Sequence, residues 1–300
     1  MIEYVEITNY LDETIKCVLG PPYSDANWVI SSLTGIDPGQ AQINMTELST
    51  NDGSLFNSAR LVSREIVITA HLLPNLEINR HVLYSYFPLK SKVNLRFKTD
   101  TRNCSIDGYV KGVEIGINDK HEIAQITVDC PDPLFYDIAM SSAAFSGIIG
   151  KFTFPFCNNS LTEKLIEFST IESTTENVVF YEGDAEVGFT ILLSFFGSCT
   201  GIGIYNTGTH EKIEIDTDIV EELTGEAIQT GDVIEISTVK GQKYIHLIRG
   251  GVTYNILNSI SDDSDWFQLV RGNNIFAYTC DSGELNVRFQ VEYRTAYVGV

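Results

Sequence analysis

Basic residues are scarce in this chain: 20 Lys and Arg stand against 40 Asp and Glu in 300 residues, a formal net charge of −20. Such a surface repels phosphate backbones, which argues against specific nucleic-acid binding but lets DNA pass without sticking. The deficit is uneven, with 9 basic and 22 acidic residues in 151–300 against 11 and 18 in 1–150. Long apolar runs are also missing; none approaches the ~18 residues of a membrane span. The opening MIEYVEITNY lacks the basic-then-apolar order of a secretory signal, so folding in a cytoplasm is expected. The six cysteines (Cys17, Cys104, Cys130, Cys157, Cys199, Cys280) form no Cys-x-x-Cys pair and read as small buried hydrophobes. No His-x-x-x-His or HExxH spacing occurs, and no GxGxxG or P-loop follows a strand pattern. No metal, cofactor or enzymatic activity is expected.

What is present is a chain able to bury a sizeable core, with 43% hydrophobic residues and a mean hydropathy of +0.01. Its length suggests about two domains. Ile66, Ile68, Ala70 and Leu72 alternate with Glu65, Thr69 and His71, the pattern of a half-buried strand. Leu76–Phe87 places Ile78, Val82 and Tyr86 at helical spacing, and Pro88 ends that pattern. Val93, Leu95 and Phe97 then point one way, while Lys90, Lys92, Asn94, Arg96 and Lys98 point the other. That basic face reads either as a solvated strand surface or as a subunit interface, since a self-associating acidic protein needs complementary positive surface. Ile106, Gly108 and Val110, followed by Val113, Ile115 and Ile117, change face near Lys111 and Gly112, as at a bulge. A hairpin turn is expected at Asn118, Asp119 and Lys120, before Ala124, Ile126, Val128 and Cys130 share a face. Another falls at Asn51, Asp52 and Gly53, after the Pro21–Pro22 pair.

Residues 138–150 are uncharged and rich in small side chains, which suits a linker. The expected division is 1–140, a linker over 141–152, and 153–300, with 293–300 returning to the first domain. Beyond the linker, GFTILLSFFG, GIGIYN, EKIEID, GDVIEIST, KYIHLIR, NNIFAYT and ELNVRFQVEY are short strand-like segments punctuated by Gly, Asn and Asp. They predict an antiparallel sandwich, with Leu285, Val287, Phe289, Val291 and Tyr293 on one face of the final strand. Asp263 and Asp265 lack the glycine and glutamate of an EF-hand loop. Asp281-Ser282-Gly283 lacks the second copy that an aspartic-protease dyad needs, and reads as a turn.

The stretch Leu61–Asp137, from LVSREIVITAHLLPNLEINRHVLYSYFPLK through VNLRFKTDTRNCSIDGYVKGVEIG to HEIAQITVDCPDPLFYD, resembles the N-terminal module of distal tail (Dit) proteins of phages with long non-contractile tails. NDGS with Phe56 and Arg60 is similar to the region from which that family's arm reaches a neighbouring subunit. GDVIEISTVKGQKYIHLIRGGVTYNIL and DSDWFQLVRGNNIFAY extend the resemblance to the galectin-like domain that many members carry. It implies a mainly β fold: an α+β ring module with one helix, similar to tail-tube proteins, plus a galectin-like β-sandwich. It further implies a homohexameric ring at the virion tail tip, assembled in the host cytoplasm. That ring would join the tail-tube protein and the tail-tip or tape-measure components to receptor-binding or baseplate proteins, with DNA only as passing cargo and no membrane partner. Candidate interface residues are Lys90, Lys92, Arg96 and Lys98. The alternative is a carbohydrate-binding tail protein, in which Trp266, Tyr205, Tyr244 or Tyr254 stack on host wall sugars.

Overall fold

The computed structural model describes residues 2–19, 27–48, 52–116, 123–144, 146–150, 169–173 and 176–300. The Pro21–Pro22 pair, Asn51, the 118–120 turn, Cys157 and the end of the expected linker lie outside them. The chain forms two compact units, Met1–Ala139 with Ala296–Val300, and Met140–Thr295.

The first unit is built from strands β1 (Ile2–Thr8), β2 (Thr14–Val18), β3 (Trp28–Thr34), β4 (Ala41–Glu47), β5 (Ser54–Leu61) and β6 (Arg64–Leu72), helix α1 (Leu76–Tyr86), then β7 (Lys92–Thr99), β8 (Asn103–Ile115), β9 (Ile123–Cys130) and β10 (Phe135–Asp137). Its antiparallel sheet runs β2-β1-β7-β8-β9-β6-β3. The pair Ala296–Tyr297 adds to β10, which itself pairs with β8. Strict alternation fixes the register, because a slip of one residue would turn every apolar side chain to water. Ile66, Ile68, Ala70 and Leu72 of β6, Val93, Leu95 and Phe97 of β7, and Ala124, Ile126, Val128 and Cys130 of β9 are all buried on one face. The β8 bulge lies between Val110 and Gly112, where the expected change of face occurs. Gly108 is required on the core face: a Cβ there would come within 2.5 Å of Val128 Cγ1 and 2.8 Å of Cys130 Sγ.

Helix α1 covers the apolar face, but not along the expected stripe. Leu83 and Asn79 are buried, Val82 and Tyr86 flank them, and Ile78 is 65% exposed. The reason is Asn79, whose side-chain amide donates to the Leu73 and Pro74 carbonyls, both at 3.0 Å. Those two bonds tie the helix to the preceding chain and draw a polar residue inward, leaving Ile78 facing out. The segment Ala296–Val300 is held by two arginines. Arg64 is 5% exposed and donates to the carbonyls of Pro133, Gly35, Asp37 and Val298, while its guanidinium lies 4.6 Å from the Phe135 ring centroid. Arg102 donates to Gly299 O at 2.6 Å and lies over the Tyr297 ring.

The second unit contains β11 (Ser141–Ala144), β12 (Ser146–Gly150), β13 (Ser169–Ser173), β14 (Glu176–Tyr181), β15 (Thr190–Phe195), β16 (Thr200–Asn206), β17 (Glu211–Ile215), α2 (Thr217–Thr224), β18 (Val233–Ser237), β19 (Tyr244–Arg249), β20 (Val252–Asn255), β21 (Gly272–Ser282) and β22 (Val287–Tyr293). A six-stranded sheet, β11-β22-β15-β18-β19-β20, and a four-stranded one, β14-β21-β16-β17, bury their apolar faces together; β12 pairs with β13 alone. Tyr278 of β21 stacks on Phe289 of β22 with centroids 5.8 Å apart, joining the two layers. Ser141–Ala144, read above as linker, is a strand along β22. Leu285, read as part of the final strand, sits on a 3-10 turn and is 79% exposed, while Val287, Phe289 and Val291 are buried. Helix α2 was not legible as periodicity in eight residues; its signals are the caps, Asp216 accepting from the Asp218 and Ile219 amides and Gly225 at φ 82°.

Candidate functional site

The basic face of β7 is partly neutralised within the chain. Lys92 meets Asp107 at 2.8 Å, and Arg96 meets Glu6 at 2.9 Å while donating to Asn103. Lys111 on β8 likewise pairs with Glu65 and Asp129. Lys98 stands opposite Tyr4 and Asn103 in register. Lys90 is not on the strand: it lies in the loop before β7 at φ 67°, its amide bonded to Val110 O. Lys92, Arg96 and Lys111 thus form cross-strand pairs on a wet sheet face, of the kind that stabilises strands modestly.

The four candidate sugar-stacking rings are not brought together. Tyr205 is on the four-stranded sheet, its hydroxyl donating to Glu214 at 3.2 Å. Tyr244 and Tyr254 are on opposite faces of the six-stranded sheet, since Tyr254 is opposite the buried Leu247, an odd three positions along β19 from Tyr244. Tyr244 is stacked on His246 and donates to Glu235; burial, then that bond, pushes its hydroxyl up to about 12. Trp266 lies in the segment between β20 and β21 with the Lys243 ammonium over its ring. A cavity of about 420 Å³ beside Tyr205 is lined by Gly201, Gly203, Thr279, Glu214, Asp216 and Asp281 among others. Two of its carboxylates have structural work: Glu214 pairs with Lys212, and Asp216 caps α2.

The most distinctive surface is the β4–β5 ribbon, which the uneven pattern of the first sixty residues concealed. Every residue of both strands is exposed. Yet the two faces differ. Ala41–Leu61, Ile43–Ala59 and Met45–Phe56 are directly opposed pairs, which places their side chains on one face. The other face carries a polar ladder, Arg60 donating to Gln42, Asn44 to Ser58 and Asn57 to Thr46, with the exposed Leu55 opposite Thr46 as its one large apolar member. A bulge at Asn57 keeps Phe56 in phase with Ala59 and Leu61. Ile43, Met45, Phe56 and Leu61 are 52%, 57%, 61% and 42% exposed, so the described residues leave the apolar face uncovered. Alternation is readable in AQINMTE, while the bulge at Asn57 breaks it in SLFNSARL.

This arrangement of sheets has close counterparts among solved structures. The Dit protein of phage SPP1 superposes with a TM-score of 0.63 over 97% of this chain and 98% of that chain, at 13% identity. The chain has the Dit fold. A chain of the phage P2 baseplate in its activated, calcium-bound conformation matches at a TM-score of 0.50, with 13% identity and the same 97% and 98% coverage. The SPP1 Dit structure is described as a paradigm of the hub adsorption apparatus of phages infecting Gram-positive bacteria. No family model matches the Dit-like chain, and no curated protein matches it in sequence.

Proposed function

We propose that the protein is a structural hub of a phage tail tip: copies close into a ring, six by the family resemblance, joining the tail tube to the host-adhesion device and leaving a channel for DNA. The observation that carries this reading is the uncovered apolar face of the β4–β5 ribbon. Four large apolar side chains on a projecting ribbon expose on the order of 400 Å² of apolar surface, the scale at which exposed patches mark partner surfaces. Internal pairing of Lys92 and Arg96 makes the ribbon a stronger candidate for subunit contact than the Lys92–Lys98 stripe. The Dit fold supports the hub role, and the net charge of −20 suits a wall past which DNA slides. No catalytic step is assigned, and the scattered aromatic rings do not favour the carbohydrate-binding alternative.

Native mass measurement of the full chain across a concentration series, alone and with tail-tube protein, tests the proposal. Closed oligomers in multiples of the 33.4 kDa chain are expected. A monomer under every one of these conditions would sink it.

A further inference from the structure

Two cysteines of the second unit stand apart from the others described. Cys199 ends the turn that leads into β16, and Cys280 lies in the neighbouring strand β21. Register sets Thr200 opposite Ser282 and Ile202 opposite Cys280, so both cysteines sit at one end of this strand pair. There the Cys280 thiol donates a hydrogen bond to the Cys199 sulphur. We propose that Cys199 and Cys280 form a site of reversible oxidative modification, joined as a disulfide by a small-molecule disulfide oxidant once the protein is outside a reducing cytoplasm. The inference goes beyond the hub reading and does not depend on it.

The surroundings hold the two sulphurs in reach. The Phe196 amide donates to Asn286 O at 2.8 Å, and the Asn286 side-chain amide donates to Ser198 O at 3.0 Å. The Thr200 and Ser282 hydroxyls share a bond of 2.6 Å. Gly283, at φ 78°, approaches so closely that a Cβ on it would fall 3.1 Å from Cys199 Cα. The segments that carry the thiols are thereby fastened to each other on both sides of the pair, and closing the bond asks for no rearrangement of the strands.

The chemistry of the pair differs from that of the cysteines in the first unit. Burial pushes the thiols of Cys17 and Cys104 up to about 11 and that of Cys130 to about 12, which leaves them inert. The bond from Cys280 outweighs burial at Cys199 and holds its thiol below the ordinary range, while the same bond, followed by burial, pushes Cys280 up. One thiolate beside one thiol is what disulfide exchange requires. Cys199 is buried and Cys280 only partly so, and the oxidant therefore arrives at Cys280. With the shared proton moved to Cys199, the Cys280 thiolate attacks one sulphur of the oxidant and expels a small thiolate. That thiolate takes the proton from Cys199, which attacks the Cys280 sulphur of the mixed disulfide and expels a second small thiolate, protonated from water. Two protein thiols and one oxidant disulfide become one protein disulfide and two small thiols; the protein gives up two electrons and two protons, and the oxidant gains them. The new bond encloses β16 to β20 and α2 in one covalent loop.

The full chain, reduced and then incubated with oxidised glutathione, is alkylated, digested and mapped by mass spectrometry. A peptide pair joined through Cys199 and Cys280, lighter by two hydrogens than its free thiol forms, is expected, with Cys17, Cys104 and Cys130 still alkylated. The melting transition of the second unit should rise by about 10 °C on oxidation and return on reduction with dithiothreitol. Cys280→Ser should show neither change. Cys199 and Cys280 both alkylated after oxidation, or each capped by glutathione without joining, would overturn the site. A bond that formed but left the transition unmoved or lowered would overturn it equally, because a pair held ready for closure adds no strain.

Discussion

Replacing Arg64 by Met should cost more than any other single polar substitution in the first unit. Arg64 is 5% exposed, and its four donated bonds, at 2.8, 2.7, 2.5 and 2.6 Å, all go to backbone carbonyls rather than to a carboxylate. A methionine preserves the packing of the stem on Phe135 but strands carbonyls from three chain segments at Gly35–Asp37, Pro133 and Val298. Loss of a buried hydrogen-bonded charge of this kind costs roughly 3–5 kcal/mol. For a unit of this size that corresponds to a fall in Tm of about 10 °C. Arg64→Lys should recover little, because an ammonium cannot reproduce the planar fork. The assay is urea denaturation followed by tryptophan fluorescence in a Trp266→Phe background, which leaves buried Trp28 as the sole reporter of the first unit. Truncation after Thr295 removes one of the four carbonyls, so the two changes should be less than additive. A loss below about 1 kcal/mol for Arg64→Met would refute this account of the clamp.

Gly108→Ala should destabilise the first unit by roughly 1–3 kcal/mol, because the new methyl overlaps Val128 and Cys130; a denaturation midpoint equal to wild type would contradict that packing. Phe56→Asp should lower oligomer mass while shifting stability by no more than about 0.5 kcal/mol, read by native mass and thermal melting together. Asp232→Ala removes the two charge-assisted bonds that the buried Asp232 carboxylate accepts from Arg249, leaving Arg249 the Glu226 carboxylate and the Glu226 and Ala227 carbonyls, and should cost about 1–3 kcal/mol in the second unit by differential scanning calorimetry. Burial pushes the Tyr86 and Tyr297 hydroxyls up to about 12, above the ~10 of an unfolded tyrosine. The folded state therefore holds these protons longer, and its stability, full below pH about 10, should be lost as pH rises toward 12. Urea midpoints at pH 8, 10 and 11 measure the slope, which Tyr86→Phe should reduce.

Strands with one face in a core were readable because alternation is enforced by burial: β6, β7 and β9 carry it without exception, and the β8 bulge shows as a break in it. The same logic failed for α1, where Asn79 displaces an isoleucine from the core for the sake of two carbonyls. It failed at Leu285 because a left-handed Gly283, at φ 78°, turns the chain before the strand begins. Of the candidate site, the basic stripe was visible but its partners were not, since Glu6 and Asp107 approach it from neighbouring strands distant in sequence. The ribbon was the reverse case. Alternation shows in β4 but is broken in β5 by the bulge at Asn57, and the two faces of a two-stranded element only become informative once the described residues are seen to leave them exposed.

The two-residue strand at Ala296 also has a consequence for how the protein is made. Residues 140–295 must be synthesised before Val298 can reach Arg64, so the first unit's clamp stays open while the ribosome builds the whole second unit. A nascent chain that stalls or terminates anywhere in between lacks both the Ala296–Tyr297 strand of the first sheet and the closing carbonyl. Completion of the chain thus becomes a precondition for a fully stable first unit, and shortened products are left as the weaker competitors for places in the assembly.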